Sequence, residues 1–497
     1  MSELSSTVER VETPPRRRWR RRHRLGLAVL LLAGAGVVYY YYASVDAERR
    51  LQKAIAKADR LDPGWTFAEI EARREVIPDS QNAILRVMSA RQLQPGPNTV
   101  ISVRDELEQL PPQEQLGNQL LKSIRTELQR ATKVVEGARA IADMPKSRFD
   151  PPLAPDIVST TLGQCDALST LHLYLLFDVA KRAQEQDAEG AFRSARAMFN
   201  SARALGDDYF TFVHIVRMVR GRQALNAIGR VLAQGQVSEA TLADFQRLVD
   251  EEEAYPGLLI AARGERAVID MLMQRLETRE VKSARLHKVL AMFEGRKLTR
   301  TGYDRVDDFL FAMPLSSIKA NRAAVLDYLT EFVEIARLPL EEQHDAVVSL
   351  ETRREELPAL ARELVPLFFI KIAEHYRHSR AELRCVSVAL AAERFRLKHG
   401  RWPDSLAELK PGWLKKIPLD PYDGAAVRYR KLEDGCVIYA LGADLQDDGG
   451  NIRNMRMDRG FLQSQDGIDV GFRLWDVSHR RQPSPAGESQ ASGGKTK

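Results

Sequence analysis

From Ala47 to about Arg377 the apolar residues recur every three or four positions, the spacing that lays one stripe along an α-helix. DALSTLHLYLLFDVAKRAQ (166–184) carries a dense apolar face and ends in charge. In AEGAFRSARAMFNSARALG (188–206), Ala191, Ala195, Met198 and Ala202 form one stripe, and Gly206 with two aspartates behind it predicts the stop. TFVHIVRMVRGRQALNAIGRVLAQG and SEATLADFQRLVDEEE repeat the pattern, with Ser238 placed to cap the second helix. Prolines at LQPGPN (93–98), PPQEQ (111–115) and DMPKSRFDPPLAP (143–155) punctuate the run and suggest a division near 143–160.

Before this region there is no period at all. RRRWRRRHR (16–24) leads into LGLAVLLLAGAGVVYYYYA, nineteen uncharged residues ending at Ala43. That is close to the roughly twenty that cross a bilayer as a helix. Tyr39 to Tyr42 suit the headgroup layer, and arginine is denser before the segment than after it. Both features predict a single-pass protein of the inner (cytoplasmic) membrane, with residues 1–24 as a basic cytoplasmic tail, 25–43 in the lipid bilayer and the bulk of the chain outside. A cleavable signal peptide is the rival reading, but the four tyrosines stand where a small-residue cleavage site belongs.

After Arg377 the pattern changes again. RAELRCVSVALAAERFRLKHG (380–400) is a helix with cations in its last turn and Gly400 as its cap. A short helix at Ser405–Lys410 and the turn DPYDG (420–424) follow, then AVRYR and CVIYAL as two strands joined by KLEDG, and GIDVGFRLWD (467–476) as a last strand. Between the strands lies GADLQDDGGN (442–451), with three aspartates and three glycines in ten residues. Carboxylates spaced by glycine can wrap a calcium ion, which takes six to eight oxygens; the same residues also make a solvated turn.

Composition narrows the function classes. Charged residues are 29% and the hydrophobic set 44%, an ordinary folded balance. The net charge of +6 comes mostly from the N-terminal arginine run, so no folded basic face with interleaved aromatics is expected and no nucleic-acid partner is assigned. Cys165, Cys385 and Cys436 are too few and too scattered for a disulfide framework and read as small buried apolar residues. His375 and His378 share a helix face but lack a third ligand, so they read as solvated. Metalloprotease and nucleophile-elbow motifs are missing, and Gly494-Lys495-Thr496 has no helix after it to bind phosphate.

The order of the C-terminal pieces carries a resemblance. His399-Gly400-Arg401-Trp402-Pro403, Asp420-Pro421-Tyr422-Asp423, Ala440-Leu441-Gly442-Ala443-Asp444 and Asp469-Val470-Gly471 follow one another along the chain. They resemble the C-terminal domain of the type II secretion system major pseudopilin (protein G). That family has a helix ending Asn-Gly-x-Tyr-Pro, an Asp-Pro-Trp-Gly turn, a Ser-Leu-Gly-Ala-Asp-Gly loop and an Asp-Ile-Gly-x-Trp finish. The match covers about a fifth of the chain, and the whole layout resembles large single-pass bacterial envelope proteins that end in such a domain. The resemblance implies calcium in the acidic loop, held by the side chains of Asp444, Asp447, Asp448 and Asn451 and the carbonyl of Leu441. A pseudopilin has its membrane helix directly before the globular helix, whereas more than 300 residues intervene here; the resemblance therefore implies fold rather than pilus assembly. The helix pairs of the middle region resemble tetratricopeptide-like packing, without a 34-residue period.

The expected architecture is mainly α: an N-terminal transmembrane helix, an irregular or solenoid-like helical domain (47–375), a small C-terminal α+β domain with a short antiparallel sheet (376–478) and a disordered tail (479–497). The function expected is that of a non-enzymatic, membrane-anchored envelope protein whose helical domain binds a protein partner, linked to secretion or envelope assembly. The alternative is a membrane-anchored hydrolase whose carboxylates and histidines meet only in the folded helical domain.

Overall fold

The computed structural model describes residues 16–90, 99–282, 315–365, 369–452 and 468–484. LQPGPN from residue 93, the tail beyond 484 and most of the basic N-terminus lie outside them. The chain is mainly helical, with one small sheet near its C-terminus.

Helix α1 (Arg16–Leu61) is continuous. Its apolar part is exposed along its length, from Leu25 at 71% to Tyr42 at 69%, and it is long and apolar enough to cross a membrane. Beyond Ala43 the same helix turns amphipathic. Ala47, Leu51, Ala54 and Ala58 fall on one face and are buried. Leu51, Ala54 and Ala58 pack with Trp65 against Ala323 and Leu326 of a later helix. The small alanines let the two backbones approach, and Lys319–Glu48 and Lys57–Asp327 ion pairs flank the seam.

The first section continues with α2 (Phe67–Arg73), α3 (Ala83–Ser89), α4 (Thr99–Gln109), α5 (Asn118–Arg130) and α6 (Thr132–Arg139). A bundle follows of α7 (Gly163–Gln184), α8 (Ala188–Arg203), α9 (Thr211–Gln234), α10 (Glu239–Ala254) and α11 (Gly257–Glu277). The expected stripe on α8 is buried throughout. Gly206 takes a φ of +58° behind that helix, as the stop requires, and the Ser238 side chain accepts from the Thr241 N–H to cap α10. The later helices are α12 (Leu315–Ile335), which carries the α1 seam, α13 (Leu340–Thr352), α14 (Ala359–Leu364) and α15 (Phe369–His399). The sheet has order β1-β2-β3, with β1 (Arg428–Leu432), β2 (Gly435–Ala440) and β3 (Val470–Trp475) all antiparallel. Leu432 faces Gly435 across the hairpin, and Ile438 faces Phe472 across the second pair.

The expected boundary at 375/376 falls inside α15, whose helix starts eleven residues earlier than its apolar pattern suggests. One apolar core runs through both sides of that boundary. Leu168, Phe192, Ile228 and Phe245 of the bundle share it with Val388 and Ala392 of α15 and with Ile438 and Leu474 of the sheet. Ala83, Ile141 and Ala142 belong to the same core, so it also crosses the region near 143–160. The first residues of the expected tail are held rather than free. The Arg481 N–H donates to the Ala233 carbonyl, its guanidinium caps the end of α7 at Ala183 and Gln184, and the Gln482 carbonyl accepts from the Gln115 N–H. Arginines at helix C-termini satisfy carbonyls that the helix leaves open.

Candidate functional site

The acidic loop leaves β2 at Leu441, and its start is tied to the DPYDG turn by one buried carboxylate. Asp420 accepts from the Leu441 N–H at 2.8 Å, the Tyr422 N–H at 2.8 Å and Arg428 Nη1 at 2.7 Å. Two motifs that are separate in the sequence thus meet at Asp420.

Within the loop the predicted ligands serve different partners. Asp444 accepts from the Gln446 N–H at 3.2 Å. Asp447 accepts from the Gly449 N–H at 2.9 Å, lies 3.4 Å from Arg428 Nε and receives the Tyr439 hydroxyl. Asp448 and Asn451 are exposed, while Leu441 is buried beside the sheet. Among the described residues no three His, Cys, Asp or Glu side chains gather as a metal group. Gly450 explains part of the glycine content: at φ +80° it lies against the sheet, and a Cβ there would meet Val437 Cγ1 at 2.7 Å.

The acid that faces this loop from the other side is Asp469, one residue before β3. It is 2% exposed. Its Oδ2 accepts from the Gly450 N–H at 2.7 Å, while its Oδ1 is buried without a hydrogen-bond partner. Burial raises its pKa, and the charges of Asp447 and Asp448 raise it further, against the N–H donors of Gly450 and Asp448. A buried, unpartnered carboxylate oxygen beside two more carboxylates is an all-oxygen environment of the kind calcium takes. The unpartnered Asp469 oxygen is thus the place in the loop where a hard cation would meet an unsatisfied carboxylate.

A second concentration of chemistry sits between the end of α1, α2, the 207–209 turn and α11, around a cavity of about 290 Å³. Asp62 takes Arg263, Arg266 and Arg337 on its two oxygens, and these cations outweigh the cost of burial and hold its carboxyl below the usual range. Arg74 joins Asp207, Asp150, Glu71 and the Tyr209 hydroxyl. Asp208 lines the same cavity and is 3% exposed. It accepts from the Phe210 N–H at 3.0 Å and from Gln164 Nε2 at 3.2 Å, yet burial pushes its pKa up to about 6. Two carboxyls displaced in opposite directions beside one cleft are what acid–base chemistry uses. Asp62, however, has both oxygens committed to guanidinium groups, so of the two only Asp208 has a raised pKa.

His375 and His378 are half-buried rather than fully solvated, and burial holds the first at about 4 and the second well below its ordinary value. Cys165, Cys385 and Cys436 are buried free thiols. Sequence reasoning missed Asp208, which reads as a helix-stop residue behind Gly206, and gave Asp469 no ligand role. The usable signal for Asp469 was its place directly before an alternating strand, where a charge must face the loop or the core. Among known proteins, no family model, no curated protein and no solved structure matches the chain.

Proposed function

We propose that this chain is a non-enzymatic envelope protein, anchored in the inner membrane by residues 25–43 with its N-terminus in the cytoplasm. Its helical body binds a protein partner, and its C-terminal unit is a pseudopilin-like cap stabilised by calcium. The observation that carries the reading is α1, in which an exposed apolar stretch runs without a break into a face packed on α12. An anchor built into the folded body suits a protein that must be held at the membrane while it engages something else. The buried, unpartnered oxygen of Asp469 beside Asp447 and Asp448 supports the calcium part. Calcium bound there would supply positive charge to those carboxylates and fix the loop against β2 and β3. The test is alkaline carbonate extraction with protease accessibility in spheroplasts. The reading requires that the chain stay in the membrane pellet and that added protease remove residues after 43 but spare an N-terminal tag. Release by carbonate, or digestion of the N-terminal tag instead, refutes it.

The observation favouring a second reading, a membrane-anchored hydrolase, is Asp208 with its pKa near the working range of a general acid. Turnover of a generic ester, phosphate ester or glycoside by the purified chain, abolished in Asp208→Asn, would establish it. Turnover that survives in that variant would dismiss it.

A further inference from the structure

A cleft of about 740 Å³ lies between α10, α15 and the segment 413–419. It lies away from both the acidic loop and the Asp208 cavity. Its floor is polar: Ser387 Oγ donates to Asp250 Oδ1 at 2.6 Å, and Arg384 pairs with Glu253 at 2.9 Å. One wall is an irregular strip carrying Leu414, Ile417 and Leu419, the last 49% exposed although it lines a cleft. Two hydrogen bonds pin this strip to the helices, from Gln246 Nε2 to the Trp413 carbonyl and from Arg384 Nη1 to the Leu419 carbonyl. The wall is thus fixed in place before anything binds.

Five cationic and three acidic side chains line the cleft. Arg384 and Arg394 are committed to Glu253 and Glu239. Lys415 and Lys416 are exposed, and among the described residues neither makes an ion pair. The rim therefore offers two exposed ammonium groups, of which Lys415 also acts on Asp250, beside the exposed carboxylate of Glu341, while Asp250 and Glu253 carry the floor's negative charge.

We propose that this cleft binds an extended peptide segment of a partner protein, in which acidic side chains flank an apolar one. The proposal rests on the interaction-protein reading above and names the chemistry of its partner. Lys415 and Lys416 would take the carboxylates, and exposed Leu419 with half-buried Ile417 would take the apolar side chain. The carboxylates of the floor repel a continuous polyanion, which argues against a nucleic acid or polyphosphate. Charge at the rim sets partner choice and association rate, while the apolar side chain supplies desolvated contact.

The experiment uses the full chain in detergent and fluorescence anisotropy of a labelled decapeptide with acidic residues on either side of a central Leu-Phe pair. Two counterparts accompany it, one with lysines for the acids and one with alanines for Leu-Phe. The expected result is salt-sensitive binding of the first peptide, weakened about tenfold or more in Lys415→Glu/Lys416→Glu and in either counterpart. Both lysines are exposed, so the variant keeps its fold, which an unchanged melting temperature verifies. Equal binding of the lysine peptide, no effect of the double variant, or no binding at millimolar peptide overturns the proposal. So does competition of the peptide with self-association of the chain, which would make a second copy the occupant. A chain that retains a membrane partner in pull-down but ignores the peptide defeats the cleft assignment alone.

Discussion

Asp208→Asn is expected to stabilise the protein at neutral pH and to do progressively less as the solution is acidified. In the folded chain burial raises this carboxyl from 3.8 to about 6. Between those values the folded state holds a proton that the unfolded state has released. The residue's contribution is therefore fully favourable below the unfolded pKa and is lost as pH rises through the folded one. A displacement of about two units corresponds to about 3 kcal/mol at 1.36 kcal/mol per unit. Asparagine removes the charge and keeps the shape. Its oxygen can accept from the Phe210 N–H, and its amide can donate to Gln164, whose Oε1 is buried without a partner. Buried His214, held down to about 4, works in the opposite sense, gaining stability for the fold as pH rises from 4 towards 6.5. The wild-type curve alone thus mixes the two. The difference between variant and wild type isolates Asp208: urea titrations should show it widening by about 2 kcal/mol between pH 4.5 and pH 7.5. Curves that stay parallel over that range would refute the claim that burial raises the Asp208 pKa in the fold.

Calcium should raise the melting temperature of the full chain in detergent relative to chelator, by a stabilisation of about 2.7 kcal/mol at a hundredfold excess over its dissociation constant. Asp447→Ala/Asp448→Ala should erase the shift, and Asp469→Asn should reduce it; identical melts with calcium and chelator would show a solvated turn. Arg480→Ala strips Glu393 of one of its two guanidinium partners and leaves the Trp475 and Gly235 carbonyls unpaired. A loss of about 3–5 kcal/mol is expected in denaturant unfolding, and a loss under 1 kcal/mol would mean that water replaces the contact. Ser238→Ala removes the N-cap of α10 and should cost about 1 kcal/mol, with Ser238→Gly costing less; equal losses would argue against a capping role.

Helix periodicity made the bundle readable because apolar stripes such as Ala191–Ala202 repeat locally and need no knowledge of the rest of the chain. The three strands were readable for the same reason, since alternation and turn residues are short-range signals. What stayed hidden was set by pairings distant in sequence. The division at 375/376 follows a change of composition, but α15 carries apolar residues on several faces and serves the bundle and the sheet at once. Arg480 and Arg481 look like the start of a polar tail, and only the approach of the α7 and α9 ends gives their guanidinium groups carbonyls to bind. The candidate ligands were legible as a set of acids, but not as a geometry. Arg428, from β1, draws Asp447 towards Asp420 and Asp423, and Asp469 faces the loop from across the sheet.

The unbroken course of α1 also governs how the molecule behaves as a mechanical object. From Ser44 to Leu61 the helix extends about 27 Å past the apolar stretch at 1.5 Å per residue, and over that length it is seated on α12. If residues 25–43 cross a bilayer as proposed, no break in the helix separates that stretch from the seam on α12, so anchor and folded mass would move as one piece. A load applied to the 413–419 strip would then tilt the shaft, and a change in bilayer thickness would re-aim the cleft with it. Inserting a flexible glycine-serine segment at Ala43 would uncouple its orientation from its height without touching the body.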